Sequence, residues 1–417
     1  MGLVHDALRA AVVAAALCGL SASIPDGAAA KPGDLLVADR QAGPGSLGGV
    51  FRVDPVTGNR TPIHLGAPFV NPEGIALAPD GGILVADQDS PVSPQGPGAV
   101  IRVDPVTGAA TVIASGAPFV EPAGIAVAPD GRILVTDEAY QPSGALFSVD
   151  PATGARTTIA SGAPFEGPTG VAVEASGKIL VADESANPNG FGGLFRVNPA
   201  TGATSTIASG PPFEEPHGVT VAPNGQILVV DEDAFPPNVL GGVFRVDPVT
   251  GVRATVAAGA PFDNPTGIAI LPDGQIVVAD GQPGDAGAIF RVDPATGGRA
   301  TIAAGPPFGT PETVVVEPPL CKGRNATVVG STGDDTLAGS AFADVIVGLQ
   351  GKDRITAAAG NDLVCGGPGK DKLKGSKGRD RLFGEAGKDS LTGGFGKDKC
   401  VGGKGADIGR ACEKGKL

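Results

Sequence analysis

Alternating hydrophobic and polar positions fill the chain in short runs separated by glycine, proline and aspartate. One stretch, Gly124 to Pro168, reads GIAVAPDGRILVTDEAYQPSGALFSVDPATGARTTIASGAPFEGP. It contains four such runs, GIAVAP, RILVTD, ALFSVD and ARTTIA. Pro-Asp-Gly joins the first two runs and Asp-Pro-x-Thr-Gly joins the last two, and both are strong turn signals. The pattern predicts a unit of four antiparallel strands.

This unit recurs between residues 34 and 319. Four strands repeating at that interval are typical of a β-propeller blade. The first copy lacks its GIAVAP run, and an orphan run, TVVVEP, follows the last copy. Together the two ends complete a sixth blade, which removes exposed sheet edges. The sequence therefore predicts an all-β protein with a six-bladed propeller. The second run of each unit ends 46 to 50 residues after the last, at Asp39, Asp87, Asp137, Asp183, Asp231 and Asp280.

From Gly330 onward the period is nine residues. A glycine stands two residues before each recurring aspartate except at Phe342, and a large apolar residue or cysteine stands two residues after it until Gly409. This spacing resembles the hemolysin-type (RTX) repeat G-G-x-G-x-D-x-U-x, which implies a parallel β-roll with two repeats per turn and Ca²⁺ between successive turns. Glycine permits turns that aim carbonyls inward, and aspartate supplies hard anionic oxygen. The predicted calcium ligands are Asp335, Asp344, Asp353, Asp362, Asp371, Asp380, Asp389, Asp398 and Asp407.

Charge divides the chain into two parts. The 417 residues carry a net charge of −13, but from Cys321 onward 17 basic and 12 acidic residues give +5, which leaves −18 for the rest. Such a reversal marks a domain boundary. We expect a propeller over residues 31–319 and a calcium-binding β-roll over residues 320–417, with no nucleic-acid partner.

The first 30 residues have the pattern of a secretory signal peptide. One arginine precedes an apolar stretch, and Ala28-Ala29-Ala30 supplies a cleavage site. No other segment is long and apolar enough to suggest a membrane span. We therefore expect a secreted, extracellular protein.

Four cysteines lie in the basic part of the chain, and an even number in an exported protein suggests disulfides. Three pairings are possible. We favour Cys321–Cys365 and Cys400–Cys412, which join neighbours along the chain.

The propeller repeats resemble the six-bladed NHL, gluconolactonase and streptogramin-lyase-like group. The resemblance rests on the segments G-[IV]-x-[VIL]-x-[PA]-[DNS]-G-x-[IL]-[LV]-V-x-D. It implies the fold, but the group includes enzymes, scaffolds and binding proteins. The loops after each VAD vary, as in DQDSPVSPQGPGA and DEAYQPSGA, whereas the turns at the opposite end are nearly constant. This variable-loop face is the expected place for an extracellular or cell-wall ligand.

One position at the entry of the innermost strand forms a ring that we call the channel mouth. Glu73 and His217 are three blades apart and therefore face each other, and Glu312 neighbours Glu73. Two carboxylates and an imidazole could hold a divalent metal for lyase or lactonase chemistry; the alternative is a solvated, irregular rim. The ring comprises Glu73, Ala123, Thr169, His217, Thr266 and Glu312.

Two residue types that recur in every blade are interpreted as structural. The aspartates that end ILVAD occur six times, whereas a site on a central axis should be unique, so we expect them to cap backbone amides of the following loop. The phenylalanines of the A/P-P-F segments should pack between blades. They are Phe69, Phe119, Phe165, Phe213, Phe262 and Phe308.

The roll departs from the RTX pattern in its charges, since a lysine or arginine directly precedes five of the aspartates. Each cation opposes a divalent ion, so the expected calcium affinity is lowered. Gly333–Asp335, Gly360–Asp362 and Gly405–Asp407 lack that cation and are expected to form stronger sites. The rival hypothesis is a cationic, disulfide-fixed roll that holds cell-wall polyanions. The preceding cations are Lys352, Lys370, Arg379, Lys388 and Lys397.

These patterns favour an exported bacterial protein that binds calcium through its roll. The propeller is expected to act as an extracellular binding or scaffold module rather than as an enzyme. The alternative is a metal-dependent lyase or lactonase-like enzyme at the channel mouth.

Overall fold

The computed structural model describes residues 31–416 apart from 44, 46, 91–92, 142, 187–189, 235–239 and 282–286. Every regular element in this part is a β-strand. No helix that could span a membrane occurs among these residues. The predicted signal peptide, residues 1–30, lies outside the described residues.

Six four-stranded antiparallel sheets form the predicted propeller. The sheet that contains both ends of the array consists of β1 (Leu35–Asp39), β2 (Gly49–Val53), β3 (Arg60–Leu65) and β24 (Pro311–Val316). The other five sheets follow chain order, as β4 (Pro72–Leu77), β5 (Ile83–Ser90), β6 (Ser93–Val103) and β7 (Ala110–Ser115); β8 (Pro122–Val127), β9 (Ile133–Asp137), β10 (Ala145–Val149) and β11 (Arg156–Ser161); β12 (Pro168–Val173), β13 (Ile179–Asp183), β14 (Gly193–Val197) and β15 (Thr204–Ser209); β16 (Pro216–Val221), β17 (Ile227–Asp231), β18 (Gly242–Val246) and β19 (Arg253–Ala258); and β20 (Pro265–Ile270), β21 (Ile276–Asp280), β22 (Ala288–Val292) and β23 (Arg299–Ala304).

The ring closes through β1 and β24, which pair antiparallel with Val37 opposite Val314. Closure therefore uses the orphan run as predicted. The six phenylalanines are at most 3% exposed and pack in clusters that join neighbouring blades. Phe119, for example, meets Phe147 edge to face, with ring centroids 5.5 Å apart. Burial of apolar strand residues between blades is the main stabilising contribution here.

The C-terminal part is a parallel β-roll of about five turns over residues 328–410. A short hairpin of β25 (Leu320–Cys321) and β26 (Arg324–Asn325) precedes it. One sheet contains β27 (Val328–Val329), β29 (Val345–Val347), β31 (Leu363–Gly369), β33 (Arg381–Gly387), β35 (Lys399–Lys404) and β37 (Lys414–Lys416). The other contains β28 (Thr336–Ala338), β30 (Arg354–Thr356), β32 (Lys372–Lys377), β34 (Ser390–Phe395) and β36 (Ile408–Arg410).

Each full turn of the roll takes 18 residues, since Leu373 lies opposite Ile355 in one neighbouring strand and Leu391 in the other. Two nine-residue repeats per turn are thereby confirmed. The apolar residue of each repeat points into the narrow core between the sheets. Both favoured disulfides form, Cys321–Cys365 and Cys400–Cys412, each with a Cα–Cα distance of 5.8 Å.

The roll lies at the end of the propeller that carries the Pro-Asp-Gly turns. Residues Pro129 to Gly131 and Thr336 to Ala338 line the same cavity. The channel mouth and the variable-loop face are at the other end of the innermost strands. The predicted boundary at residue 319 lies between β24 and β25 and stays a prediction.

Candidate metal centre and channel mouth

The nine predicted aspartates form two columns along the roll, which we call ladders. Within a column, the backbone N–H of one aspartate donates to Oδ1 of the aspartate one turn later, at 2.9–3.0 Å. The 18-residue turn produces this stacking, because alternate repeats lie on opposite edges of the roll. The first ladder contains Asp335, Asp353, Asp371, Asp389 and Asp407, and the second ladder contains Asp344, Asp362, Asp380 and Asp398.

The other carboxylate oxygen, Oδ2, is buried without a hydrogen-bond partner in seven of the nine aspartates. Asp371 and Asp380, for example, are 1% and 0% exposed. A buried acceptor left unpaired costs about 1–3 kcal/mol, and more if it is charged. A set of such oxygens is therefore suited to bind a cation. The seven are Asp353, Asp362, Asp371, Asp380, Asp389, Asp398 and Asp407.

Backbone carbonyls face the same space. A Cβ added to Gly384 would meet both Oδ2 of Asp389 and the carbonyl oxygen of Gly402 in the next turn. Carboxylate and carbonyl oxygens are the ligands that calcium prefers. Because the glycine leaves this space empty, the residues present fit a hard divalent cation.

The first aspartate of each ladder differs from the rest. Ser331 donates its N–H and its hydroxyl to Oδ2 of Asp335, at 2.6 and 3.0 Å. Ser340 makes the same two bonds to Asp344 at the same distances. These two oxygens are therefore already satisfied, a feature that the glycine-aspartate spacing does not reveal. For Asp335 these bonds favour a weaker calcium site than the sequence predicts, and the affinity of that site stays a prediction.

Crowding of carboxylates shifts their protonation. Burial, with repulsion from Asp380 and Asp344, raises the pKa of Asp362 to about 7. Burial, with repulsion from its two ladder neighbours, raises the pKa of Asp371 to about 6. The ionised ladder is thus unfavourable without a counterion.

The basic residues that precede the aspartates point away from the ladders. All five are exposed, whereas the following aspartates are buried. No ion pair links them to a ladder aspartate within the described part of the roll. Since exposed charges are screened by water and salt, they oppose an ion inside the roll only weakly. They are Lys352, Lys370, Arg379, Lys388 and Lys397.

At the channel mouth, the structure splits the predicted trio. Arg40 pairs with Glu73 through Nη2 and with Oε1 of Glu312 through Nε, the latter at 3.3 Å. His217 instead has Nε2 3.5 Å from Oε1 of Glu232. Burial lowers the pKa of His217 to about 4, so its imidazole is neutral at pH 7. Arg40 therefore pairs with Glu73 and Glu312, whereas His217 pairs with a different carboxylate.

No group of three or more His, Cys, Asp or Glu side chains is arranged to hold a metal in the residues that the structure covers. For the channel mouth, this leaves the predicted metal set without support. In the roll, two carboxylates from successive turns would share each ion with backbone carbonyls.

A second ring at the mouth escaped the sequence reasoning. It consists of the residue directly after each ILVAD aspartate, and the variation at that position was the available signal. Burial and repulsion from Glu184 raise the pKa of Glu138 to about 8, and burial and repulsion from Glu215 raise that of Glu184 to about 7. The mouth therefore carries acidic side chains on one side, and on the other side Arg40 pairs with Glu73 and Glu312. The ring is Arg40, Gln88, Glu138, Glu184, Glu232 and Gly281.

The ILVAD aspartates cap backbone amides, as predicted, but mostly in another segment. Asp87 accepts from the N–H groups of Val70 and Asn71, at 2.9 and 3.1 Å, before its own blade begins. Its bond from the N–H of Asp89, two residues later along the chain, is the smaller part of the pattern. The predicted bonds to the residues that follow the aspartate are present, as from Ser185 to Asp183, but the bonds from the preceding segment were not predicted, because sequence neighbours do not show a contact across the blade.

Comparison with known proteins separates the two parts of the chain. Residues 329–364, 366–400 and 374–408 match the RTX calcium-binding nonapeptide repeat, which confirms that resemblance. No curated protein matches the chain in sequence.

Solved structures resemble the propeller. A chain of a nidogen/laminin complex aligns at 15% identity and TM-score 0.53, over 68% of this chain and 97% of that one. TolB from Acinetobacter baumannii aligns at 16% and 0.52, over 68% and 66%. The periplasmic gluconolactonase of Pseudomonas aeruginosa aligns at 18% and 0.48, over 68% and 98%. The first two support the propeller fold alone, and the third adds no further argument.

Proposed function

We propose that this chain is a secreted calcium-binding protein whose roll binds Ca²⁺ along both aspartate ladders. The observation that carries the proposal is the set of seven buried Oδ2 atoms without a hydrogen-bond partner. Calcium would supply the positive charge that these oxygens lack. All nine ladder aspartates are candidate ligands, with Asp335 and Asp344 the weakest because serines already satisfy them.

The test is calorimetry and hydrogen exchange on the full chain after removal of calcium. Adding CaCl₂ should release or absorb heat and should protect amides between Leu363 and Lys404. Magnesium should do so less well, because it demands a tighter octahedral shell and gives up water reluctantly. Absence of both heat and protection in millimolar calcium would refute the proposal.

The propeller is proposed to serve as an extracellular binding or scaffold module through its variable-loop face. The roll packs against the Pro-Asp-Gly end of the propeller, which supports this assignment because the two parts would then use opposite ends of the channel. Export can be tested separately. The protein recovered from the medium should begin at Lys31. Protein that stays inside the cell with residues 1–30 still attached would contradict secretion.

The enzyme alternative at the channel mouth has a direct test, although no contact favours it. Divalent-dependent turnover of a lactone that is lost in His217→Ala would support it. Turnover absent from the wild type as well would leave the binding role.

A second candidate function of the roll is supported by its exposed cations. Lys352, Lys370 and Lys388 precede aspartates of the first ladder in three successive turns and are exposed. Adjacent parallel strands are about 4.8 Å apart, so the lysines form a regular cationic column. Such a column fits a linear polyanion of the cell wall.

Binding to an anionic cell-wall polymer should weaken with salt and with Lys352→Gln, Lys370→Gln and Lys388→Gln combined. A matched control removes three cations from the propeller, the exposed Lys31 and Arg132 and the half-buried Lys178. Equal loss in both variants would reduce the effect to net charge and reject the column.

A further inference from the structure

The second ladder has an additional member beyond the repeats. One full turn after Asp398 the chain has Lys416, which cannot continue a column of carboxylates. The last turn is shorter, however: Lys399 of β35 lies opposite Lys414 of β37, 15 residues later rather than 18. The shortened turn places Glu413 beside Asp398, where the next aspartate would lie.

The contact follows the pattern of the ladder. The backbone N–H of Asp398 donates to Oε2 of Glu413, as each earlier ladder amide donates to the aspartate one turn on. Oδ2 of Asp398 is buried and has no hydrogen-bond partner. Glu413 lies beyond residue 408, where the matched RTX repeats end.

The two ends of the ladder differ in chemistry. At the start, Ser340 donates two hydrogen bonds to Oδ2 of Asp344 and satisfies it without a metal. At the end, a second carboxylate approaches Asp398, and an ionised carboxylate can only accept. Glu413 is exposed, whereas Oδ2 of Asp398 is buried and unpaired, so a cation beside both carboxylates would satisfy the buried oxygen.

A disulfide holds this arrangement. Cys412 directly precedes Glu413 and bonds to Cys400, which is 1% exposed in the core of the roll. Without the bond, residues 411–413 would be held by the short pairing of β35 with β37 and by two backbone hydrogen bonds, from Gly394 to Ala411 and from Glu413 to Asp398. Glu413 would then lose its fixed place in the ladder.

We propose that Glu413 is a tenth carboxylate ligand, which forms a terminal calcium site with Asp398 that depends on the Cys400–Cys412 disulfide. This inference rests on the proposed calcium binding of the roll. It makes the terminal site sensitive to reduction, unlike the sites between inner turns.

The test uses the full chain and measures bound calcium by calorimetry and amide protection by hydrogen exchange. Glu413→Gln keeps an oxygen for the Asp398 amide but removes the charge. It should bind one calcium ion fewer per chain and lose calcium-dependent protection of β36 and β37, with inner strands unchanged. The control is Glu385→Gln, an exposed glutamate of the same roll that pairs with Lys322 and should change neither measurement.

A second variant, Cys400→Val with Cys412→Ser, should lose the same ion while the Cys321–Cys365 disulfide remains. Valine suits the core position, since Val364 occupies it elsewhere. If the wild type binds calcium and Glu413→Gln binds the same number with the same protection, the terminal site is overturned and the inner sites stand. If the wild type binds none, both proposals fall.

Discussion

Asp380→Asn should change the stability of the roll in opposite directions with and without calcium. Asp380 lies inside the second ladder, where its Oδ1 accepts the Asp362 amide at 3.0 Å and its Oδ2 is buried without a partner. In a chelator, the substitution removes a buried charge, and the new amide can donate toward the nearby carbonyl of Gly393. Relief of one unpaired buried acceptor should stabilise the calcium-free roll by about 1–3 kcal/mol.

With calcium, the same change should be destabilising. Asp380 lies between Asp362 and Asp398 and so contributes to two sites. An ion present at 100 times its Kd stabilises the fold by about 2.7 kcal/mol, so loss of two such ions would cost roughly 5 kcal/mol. The sign of the effect, rather than its size, separates a metal ligand from a structural aspartate.

The assay is native-state hydrogen exchange of amides in β32 to β35, in chelator and in millimolar calcium, which gives the local free energy of unfolding. Asp334→Asn is the matched control. It is the same chemical change at an exposed aspartate beside the first ladder, and it should be neutral in both conditions. Equal destabilisation by Asp380→Asn with and without calcium would refute the ligand role.

Three further predictions concern the roll and the propeller. In chelator, the urea midpoint of the roll should fall as pH rises from about 4 to 7, because the raised pKa values of Asp362, about 7, and Asp371, about 6, mean that the folded state retains protons that the unfolded state has released; calcium should reverse the trend, and a flat profile would contradict the burial of these charges. Gly387→Ala should unfold the roll in proteolysis assays, since its Cβ would overlap a backbone carbonyl of the preceding turn, whereas Gly333→Ala, at the same repeat position, meets only ordinary contacts. Asp39→Ala should destabilise the propeller by about 2–5 kcal/mol in thermal unfolding, because three backbone N–H groups lose their acceptor at the ring closure; an unchanged Tm would show that closure does not depend on it.

The propeller was predictable because its determinants are local. Period-two runs and turn residues define each strand, and the missing run at one end of the array matches the orphan run at the other. The pairing of Val37 with Val314 follows from that match. The caps of the following amides by the ILVAD aspartates were predictable, but those of Val70 and Asn71 were not, because these residues reach Asp87 across 16 to 17 residues of chain.

The channel mouth was less predictable. Ring positions could be counted from the repeats, which placed Glu73 opposite His217. The count could not show that Arg40, one residue after a structural aspartate, would reach two glutamates contributed by different blades. A long side chain near the channel axis can reach partners on several blades, so the spacing of the repeats does not determine which residues pair.

In the ladders, spacing predicted the column but not how each oxygen is satisfied. A serine in place of glycine at the second position of a repeat adds a hydroxyl group. At Asp344, the serine then donates two hydrogen bonds to a carboxylate oxygen that is unpaired in most other repeats. The three-residue shortening that places Glu413 beside Asp398 falls outside the nine-residue period. The features that the sequence did not predict therefore lie where the chain departs from the nine-residue repeat.

The geometry makes calcium binding and polyanion binding by the roll compatible. Lysine and aspartate are adjacent in sequence, but the lysine is exposed and the aspartate is buried, so an ion and a polymer would occupy different sides of the same strand edge. Each bound ion would also add positive charge to a region that already carries a net +5. Calcium should therefore strengthen, rather than displace, attraction of the lysine column for a polyanion, and the effect should fade as salt shortens the screening length.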